Sequence, residues 1–245
     1  MTQRGAIVTG GGTGIGRAIA LDLAQDHDVL VVGRTESTVV DAARHPRVHP
    51  LVLDVTAPGA PAALAAAARK SLGQVNVLVN NAGSAAPAPL GGIDPASAHA
   101  QIAVNLTAPL LLTQELLPDL KATRGVVLNL TSAGSTGGRA WPGFSAYGAA
   151  KAALEFLTRT WAAELAPHGV RVLALAPGVV ESGMGLRMGS TPEEYARFLA
   201  ETAGTTPLRR VGQPSEMAWW VRTLLDPRAT FATGAVVVAD GGMSL

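Results

Sequence analysis

The chain has 245 residues, 48% apolar and 15% charged, a balance typical of a well-buried globular protein rather than a disordered one. Its net charge of +1 gives no electrostatic reason to expect a nucleic acid or an anionic membrane as partner. The absence of cysteine excludes disulfides, thiolate catalysis and Cys-ligated metals. No apolar stretch reaches the roughly 20 uninterrupted residues of a membrane span. We therefore expect a cytoplasmic protein folded as one domain over residues 1–245.

Short apolar runs rich in β-branched residues alternate with longer segments of helical period, which predicts repeated strand–helix–strand units. Most of the runs are continuously apolar, as expected for strands of a parallel sheet that is covered by helices on both faces. The predicted strands are 5–9, 29–32, 48–53, 75–79, 125–130, 170–174 and 235–238. The helices are predicted to begin near Gly14, Glu36, Pro61, Pro95, Ser145 and Pro214. This pattern predicts an α/β fold class.

One segment, residues 181–207, interrupts the rhythm between the last two predicted strands. It begins with Gly and Met residues and continues into an amphipathic stretch over 192–203. An insertion of this kind is typical of a mobile substrate lid, and a plain surface excursion is the alternative.

A glycine-rich turn follows the first predicted strand and opens into a helix. Its sequence is Thr9-Gly10-Gly11-Gly12-Thr13-Gly14-Ile15-Gly16. Glycines at such a turn let the backbone approach a pyrophosphate, and the helix N-terminus supplies N–H groups and the positive end of its dipole. The turn therefore predicts a dinucleotide site, although a merely tight turn has the same composition.

The residues after the second and third predicted strands bear on which dinucleotide is bound. Arg34 stands where an NAD site usually has a carboxylate for the ribose 2′-hydroxyl, and a guanidinium suits a 2′-phosphate, so NADP(H) is favoured. Alternatively, Arg34 is a solvated loop residue and Glu36 or Asp41 supplies the carboxylate. Asp54 is positioned for the adenine amino group, or else it caps the turn before Pro58.

Tyr147 and Lys151 lie four residues apart in Tyr-Gly-Ala-Ala-Lys, so on a helix they share one face and can act on one substrate atom. A free phenol has a pKa of about 10, and a neighbouring cation favours the phenolate. The pair predicts acid–base chemistry on a carbonyl or alcohol. Two solvated side chains on a helix surface are the alternative.

Further short motifs follow the glycine turn in order along the chain. They are Asp54-Val55, Asn80-Asn81-Ala82-Gly83, Asn105, Ser132, Tyr147, Lys151, Pro177-Gly178 and Asp240-Gly241-Gly242. Over residues 5–242 this ordered set resembles the short-chain dehydrogenase/reductase family, its single-domain branch and its 3-oxoacyl-thioester reductase-like members. The resemblance implies a doubly wound Rossmann domain with seven parallel strands, in which cofactor and substrate meet at the carboxyl ends of the strands.

The resemblance also implies residue roles. Tyr147 exchanges a proton with the carbonyl or alcohol oxygen, and Lys151 holds the nicotinamide ribose and lowers the pKa of the tyrosine. Ser132 hydrogen-bonds the same oxygen, and Asn105 helps to hold a water that relays protons to Lys151. Ser182 touches the nicotinamide carboxamide. The expected cofactor-binding set is Gly10, Thr13, Gly14, Ile15, Gly16, Arg34, Asp54, Val55, Asn81, Ala82, Gly83, Tyr147, Lys151, Pro177, Gly178, Val180 and Ser182.

The chain departs from the family in the interval between Ser132 and Tyr147. Fifteen positions separate them, somewhat more than is usual, and residues 133–141 contain three glycines. We interpret this as a small loop insertion that leaves Ser132 at the end of its strand. Ser135 is the competing choice, because an alignment anchored on Tyr147 brings it closer to the expected position.

The sequence thus predicts an NADP(H)-dependent oxidoreductase that interconverts a ketone or aldehyde with an alcohol. An NAD-dependent alcohol dehydrogenase and a non-catalytic dinucleotide-binding sensor or scaffold are the alternatives. The expected partner is a small hydrophobic substrate, and no metal is expected because the histidines lack metal-ligand spacing. The resemblance implies a homotetramer or homodimer. Apolar residues that can line the pocket or support subunit contacts are Trp141, Phe144, Met184, Leu186, Met188, Trp161, Trp219 and Trp220.

Overall fold

The computed structural model describes residues 4–245 and contains a seven-stranded sheet in which every neighbouring pair of strands is parallel. The strands are β1 (Arg4–Thr9), β2 (His27–Gly33), β3 (Val48–Val52), β4 (Val77–Asn80), β5 (Val126–Leu130), β6 (Arg171–Pro177) and β7 (Val236–Ala239). Their order across the sheet is β3-β2-β1-β4-β5-β6-β7. The order reverses between β1 and β4, and the carboxyl ends of strands at such a switch point leave a crevice for a ligand.

Ten α-helices accompany these strands within the described residues. They are α1 (Gly14–Leu23), α2 (Glu36–Ala42), α3 (Ala60–Leu72), α4 (Pro95–Ile102), α5 (Ala108–Glu115), α6 (Leu117–Thr123), α7 (Ser145–Leu165), α8 (Met184–Arg187), α9 (Pro192–Thr205) and α10 (Pro214–Leu225). Among residues 4–245, no helix combines the length and the apolar character needed to cross a membrane.

Alternate residues of the strands supply two separate apolar cores. In β1, Ala6 and Val8 belong to the core that contains residues of α1 and α10, whereas Ile7 belongs to the core that contains residues of α3 and α5. Successive side chains of a strand point to opposite faces, so continuous apolar strands require cover on both sides. The predicted α/β class and the doubly wound parallel sheet are confirmed.

The predicted boundaries differ from the observed ones by a few residues. The strand predicted over 75–79 is β4, which begins at Val77, and the strand predicted over 170–174 is β6, which continues to Pro177 because Pro177 still pairs with Ala239. The helical stretch that begins at Pro95 is not continuous. A π-helical turn, Ala103–Thr107, separates α4 from α5.

The segment 181–207, expected to be a lid, contains the short helix α8 and the helix α9. A capping box starts α9, because Thr191 accepts from the backbone of Glu194 while the Glu194 carboxylate accepts from the Thr191 amide. No residue of α9 is buried. The helix is held at its start by its own cap and by Tyr195, whose hydroxyl accepts from the Gly183 amide at 3.1 Å.

Candidate active site

In the glycine turn between β1 and α1, neighbouring atoms occupy the space that a side chain on the turn would need. Gly10 and Gly14 have φ values of +64° and +52°, in a region that residues other than glycine rarely adopt. A Cβ on Gly16 would overlap the Gly10 carbonyl oxygen, and one on Gly12 would lie 2.8 Å from Thr38 Oγ1. The turn can keep this shape only with glycine at these positions.

The turn is fastened to the end of β4 by a buried threonine and an asparagine. Thr9 Oγ1 accepts from the backbone amides of Asn81 and Ala82, each at 3.0 Å. Asn81 Nδ2 in turn donates to the carbonyl oxygens of Thr9 at 2.8 Å and Gly10 at 3.2 Å. Asn81 therefore shapes the glycine turn, and it brings the β4 loop alongside it.

The N-terminus of α1 is open to an anion. Thr13, its N-cap residue, makes no side-chain capping hydrogen bond with any described residue, so the first N–H groups of the helix stay available. Ile15 packs against the core below. These features fit the diphosphate of a dinucleotide.

Segment 181–207 reaches this helix end. A Cβ on Gly14 would lie 2.8 Å from the Ser182 carbonyl oxygen and 3.4 Å from Arg187 Nη2. Arg187 Nη1 donates to the Ser182 carbonyl at 3.0 Å, and burial lowers the pKa of this guanidinium. Among the described residues no carboxylate lies within salt-bridge distance of Arg187. A cation without a carboxylate partner is thus set beside a positive helix end, an arrangement that attracts anions.

Arg34 and Asp54 face each other across the ends of β2 and β3. The Arg34 side chain is 74% exposed, and its Nη1 lies 4.0 Å from Asp54 Oδ2. Asp54 Oδ1 accepts from the amide and hydroxyl of Thr56, as expected for a turn cap. Burial raises the pKa of Asp54, but the Thr56 hydrogen bonds and the Arg34 charge outweigh it and leave the pKa below its usual value.

The two carboxylates considered as alternatives to Arg34 differ in their surroundings. Asp41 is paired with Arg17 at 2.8 Å and with Arg44 at 2.9 Å, so its charge is already matched. Glu36 begins α2 and is exposed. Val55, the neighbour of Asp54, is buried in the core that includes Leu64.

Asn105 lies in the π-helical turn and is fully buried. Its Nδ2 donates to the carbonyl oxygens of Ser84 at 2.7 Å and Gln101 at 2.9 Å, which directs Oδ1 the other way. That Oδ1 is buried without a described hydrogen-bond partner. A Cβ on Gly83 would lie 2.7 Å from this oxygen and 3.5 Å from Lys151 Nζ. Asn105, Lys151 and Gly83 therefore converge on one small polar space.

Lys151 is buried on α7, with its ammonium held against β5. Its Nζ donates to the Leu130 carbonyl at 2.7 Å and lies 5.7 Å from the centre of the Tyr147 ring. Burial lowers the pKa of Lys151 to about 8. The ammonium is still mostly protonated at neutral pH.

Tyr147, one turn earlier on α7, is half-buried, and the Ser132 side chain after β5 is close enough to influence its pKa. Burial raises the pKa of Tyr147 to about 12, and the Ser132 side chain opposes that rise. The family resemblance predicts instead that Lys151 lowers this pKa. In the described chain burial dominates, so the phenol holds its proton at neutral pH.

Ser132 and Ser135 have different surroundings. The Ser132 side chain influences the pKa of the Tyr147 phenol, whereas Ser135 Oγ turns back and donates to the Ser132 carbonyl at 2.9 Å. The backbone on either side of Ser132 is held by β6, since Thr131 N donates to Leu175 O and Ala133 N donates to Pro177 O. This geometry favours Ser132 as the serine that meets the substrate oxygen.

Aromatic side chains border the phenol. Trp141 stacks on Phe144 with ring centres 4.5 Å apart and meets the Tyr147 ring edge-on at 5.6 Å. A Cβ on Gly134 would overlap the Trp141 ring, so the indole lies flat on that glycine. The loop after β5 thus forms an apolar wall beside Tyr147.

The remaining predicted cofactor residues lie at the end of β6 and directly after it. The Pro177 carbonyl accepts from Ala133 N at 2.9 Å, and Gly178 passes so close to Asp240 that a Cβ would lie 2.7 Å from the Asp240 Cα. Val180 bridges to Gly212 and is buried. Together with Ser182 they bring the start of segment 181–207 to the same edge of the sheet as the glycine turn.

Several supporting residues were missed by the sequence reasoning. A buried chain of hydrogen bonds links β4, β5 and α7, because Asn80 Nδ2 donates to Asn129 Oδ1 and Asn129 Nδ2 donates to Thr158 Oγ1, each at 2.9 Å. Glu155 is buried on α7 and accepts from Thr136. Asn80 is part of a recognised motif, but the other residues carry no local signal because their partners are distant in sequence. No group of three or more metal-ligating side chains occurs among the described residues.

Comparisons with known proteins identify the relatives of this chain. A family model described as enoyl-(acyl carrier protein) reductase matches residues 10–244. The chain is 33% identical over 244 residues to 3-oxoacyl-[acyl-carrier-protein] reductase of Thermotoga maritima, covering 97% of this chain and 96% of that one. It is 35% identical to galactitol 2-dehydrogenase (L-tagatose-forming) of Cereibacter sphaeroides, covering 98% and 94%. The crystal structure of 3-ketoacyl-(acyl-carrier-protein) reductase from Brucella melitensis complexed with NADH superposes with a TM-score of 0.88 at 27% identity, covering 99% and 98%.

Fold, site and relatives together define an oxidoreductase that acts on CH–OH groups with a nicotinamide dinucleotide. The chain belongs to the short-chain dehydrogenase/reductase family.

Proposed function

We propose that this protein uses NADP(H) to interconvert a ketone or aldehyde with the corresponding alcohol, with Tyr147 as the general acid or base. One observation carries the proposal. The Tyr147 phenol has the Ser132 side chain as a neighbour and the buried Lys151 ammonium on its own helix, with Nζ 5.7 Å from the centre of the phenol ring. This is the donor set that a developing alkoxide requires.

A nicotinamide dinucleotide held at the glycine turn would supply or take the hydride. In the reductive direction Tyr147 gives its proton to the carbonyl oxygen, since its raised pKa keeps it protonated at neutral pH. Ser132 donates to the same oxygen and fixes its position. In the oxidative direction the phenol must first lose its proton, so oxidation benefits from alkaline conditions.

The proton that Tyr147 gives up is replaced from the polar space beside it. Lys151 carries a transferable proton there, because its lowered pKa is close to neutral. The unpaired Oδ1 of Asn105 faces the same space near Gly83 and is available to hold a relaying water. Through that water, Asn105 would connect to Lys151 on the buried side of the site.

Arg34 supports NADP(H) as the preferred cofactor. Its exposed guanidinium has a distant partner in Asp54, so it is available to a 2′-phosphate through charge-assisted hydrogen bonds. A preference for NAD(H) is the competing hypothesis, with Glu36 as the exposed carboxylate that would hold a ribose hydroxyl. The relative from Brucella melitensis was crystallised with NADH.

We further propose that segment 181–207 is a lid of a single catalytic domain and that Arg187 carries it onto the cofactor. The unpaired guanidinium beside Gly14 would bind the diphosphate at the α1 N-terminus. Binding the cofactor would then also order the lid. Ser182 lies beside the glycine turn, where its hydroxyl would meet the nicotinamide carboxamide.

The substrate is proposed to be hydrophobic, because Trp141 and Phe144 form an apolar wall beside Tyr147. A β-ketoacyl thioester is the leading class, since relatives named for that reaction match nearly the whole chain. Polyols are the second class to test, because a relative is named galactitol 2-dehydrogenase.

A homotetramer or homodimer is proposed for the assembly. Phe156 on α7 is 66% exposed and Trp219 on α10 is 58% exposed, and large exposed apolar side chains of this kind favour subunit contacts. Trp161 and Trp220 pack against the cores instead. The cytoplasm is the proposed compartment, because a chain without cysteine has no need of an oxidising environment.

The test is a substrate panel with stereospecifically deuterated NADPH and, in parallel, NADH. The panel contains a β-ketoacyl thioester, an enoyl thioester, aliphatic and aromatic ketones and oxidised polyols. Deuterium on the product's carbinol carbon, with NADPH preferred, is the expected result. Transfer only to an enoyl carbon, or no transfer from either cofactor despite binding, would contradict the proposal.

A further inference from the structure

One buried titratable group takes no part in the proposed chemistry. Glu155 lies on α7 four residues after Lys151 and eight after Tyr147, so the three side chains follow one stripe of the helix. Glu155 is only 4% exposed. Burying a carboxylate costs free energy unless it is hydrogen-bonded or paired, so its partners indicate what it does.

The nearest partner of this carboxylate is a hydroxyl from the loop after β5. Thr136 Oγ1 lies 2.7 Å from Glu155 Oε1. The nearest cation, Arg159 Nη2, is 3.9 Å from Oε2, and its side chain is 58% exposed. Charge pairing of that kind is weak, so the hydrogen bond from Thr136 is the main contact of Glu155.

The same hydroxyl reaches the serine beside the phenol. Thr136 Oγ1 also lies 3.1 Å from the carbonyl oxygen of Ser132, so its single proton is shared between this carbonyl and the nearer Glu155 carboxylate. That carbonyl also accepts from the amide of Ser135 at 3.0 Å and from its hydroxyl at 2.9 Å. Residues of the loop therefore donate hydrogen bonds to the Ser132 carbonyl. Glu155, through Thr136, links this loop to α7, the helix that carries Tyr147.

The loop needs such a tie. It contains Gly134, Gly137 and Gly138, and the last two have φ values of +71°. It is also the stretch in which the interval between Ser132 and Tyr147 is lengthened. Two loop side chains after Thr136 also make contacts. Trp141 lies against Gly134, and Arg139 donates to the Met243 carbonyl at 3.1 Å.

We propose that Glu155 is a positioning residue, which acts through Thr136 to hold Ser132 beside the Tyr147 phenol. This inference rests on the proposed function of Tyr147 and Ser132. It concerns orientation alone, because the hydrogen bond and the ion pair described for Glu155 are with Thr136 and Arg159. The carboxylate is required as an acceptor and not as a charge.

The experiment compares Glu155→Met, which removes the acceptor, with Glu155→Gln, which keeps one. Thr136→Val and Thr136→Ser form the matching pair on the other side of the hydrogen bond. We expect E155M and T136V each to lower kcat by about tenfold, with the NADPH Kd kept within about twofold of the parent's. E155Q and T136S should restore most of the parent's kcat. The double variant E155M/T136V should be no slower than either single variant, because both substitutions remove one interaction.

Amide hydrogen exchange over residues 133–138 supplies a readout that needs no turnover. E155M and T136V should both accelerate exchange there, while Arg159→Gln, which removes the neighbouring cation, should leave exchange and kcat unchanged. The inference is overturned if E155M exchanges like the parent, if E155Q loses as much kcat as E155M, if R159Q matches E155M, or if the losses multiply in the double variant. If the parent turns over no substrate, the proposed function fails, and exchange in this loop alone then decides the inference.

Discussion

The variant Lys151→Met separates two effects of this buried ammonium: its free-energy cost to folding and its role in catalysis. Burial lowers the pKa of Lys151 from 10.5 to about 8. At about 1.36 kcal/mol per unit, holding the proton in the folded state costs roughly 3 kcal/mol below pH 8. The lost hydrogen bond to Leu130 offsets part of this, by about 1–3 kcal/mol. The variant should therefore be as stable as the parent, or more so, at pH 7, and it should be inactive.

The sign of the pH dependence follows from the lowered pKa. Between pH 8 and 10.5 the unfolded chain binds more protons at Lys151 than the folded one, so the parent gains stability as the pH rises. From pH 8 to pH 10 this gain is about 2 kcal/mol relative to Lys151→Met. Urea unfolding at pH 7, 8, 9 and 10 measures it, with Lys70→Met as the control for removing an exposed ammonium. Unfolding free energies of parent and Lys151→Met that stay parallel from pH 8 to 10 would refute the reasoning.

Three further substitutions test the cofactor half of the site. Arg34→Glu should shift the ratio of kcat/KM for NADPH over NADH by at least about tenfold towards NADH, since a charge-assisted contact is replaced by repulsion; an unchanged ratio would remove Arg34 from the 2′-phosphate site. Gly83→Ala places a carbon 2.7 Å from Asn105 Oδ1, so turnover and about 1–3 kcal/mol of stability should be lost, whereas Gly204→Ala, with open space around its Cβ, should retain both. Arg187→Gln should weaken NADPH binding by about tenfold in fluorescence titrations and reduce its salt dependence. Equal weakening by Arg197→Gln, in the same segment 181–207, would mean that only the overall charge of this segment matters.

Much of the fold follows from sequence because its signals are local. Continuous apolar runs predict strands covered on both faces, and the observed β1 begins one residue before the predicted run at Gly5. The starts of α1 at Gly14, α4 at Pro95 and α7 at Ser145 coincide with the predicted positions. Glycine, proline and serine fix these starts through backbone geometry and capping, which do not depend on the rest of the chain.

The features that could not be predicted depend on partners distant in sequence. The π-helical turn at Ala103–Thr107 fits one extra residue into a helix so that Asn105 points inward, and no local pattern marks it. From the sequence alone, Glu155 is expected on a solvated helix surface. Only the folded loop brings Thr136 within hydrogen-bond distance of it. The direction of the Tyr147 pKa shift depends on how strongly burial outweighs the Ser132 side chain, and spacing along a helix does not give that burial.

The most direct test of the account is pre-steady-state reduction by Tyr147→Phe beside the parent, using the best substrate of the panel. Phenylalanine keeps the ring against Trp141 and removes only the proton donor. We predict NADPH binding within about twofold of the parent and hydride transfer slowed by at least about a thousandfold. Hydride transfer by Tyr147→Phe at a rate close to that of the parent would contradict the central claim that this phenol is the acid and base of the reaction.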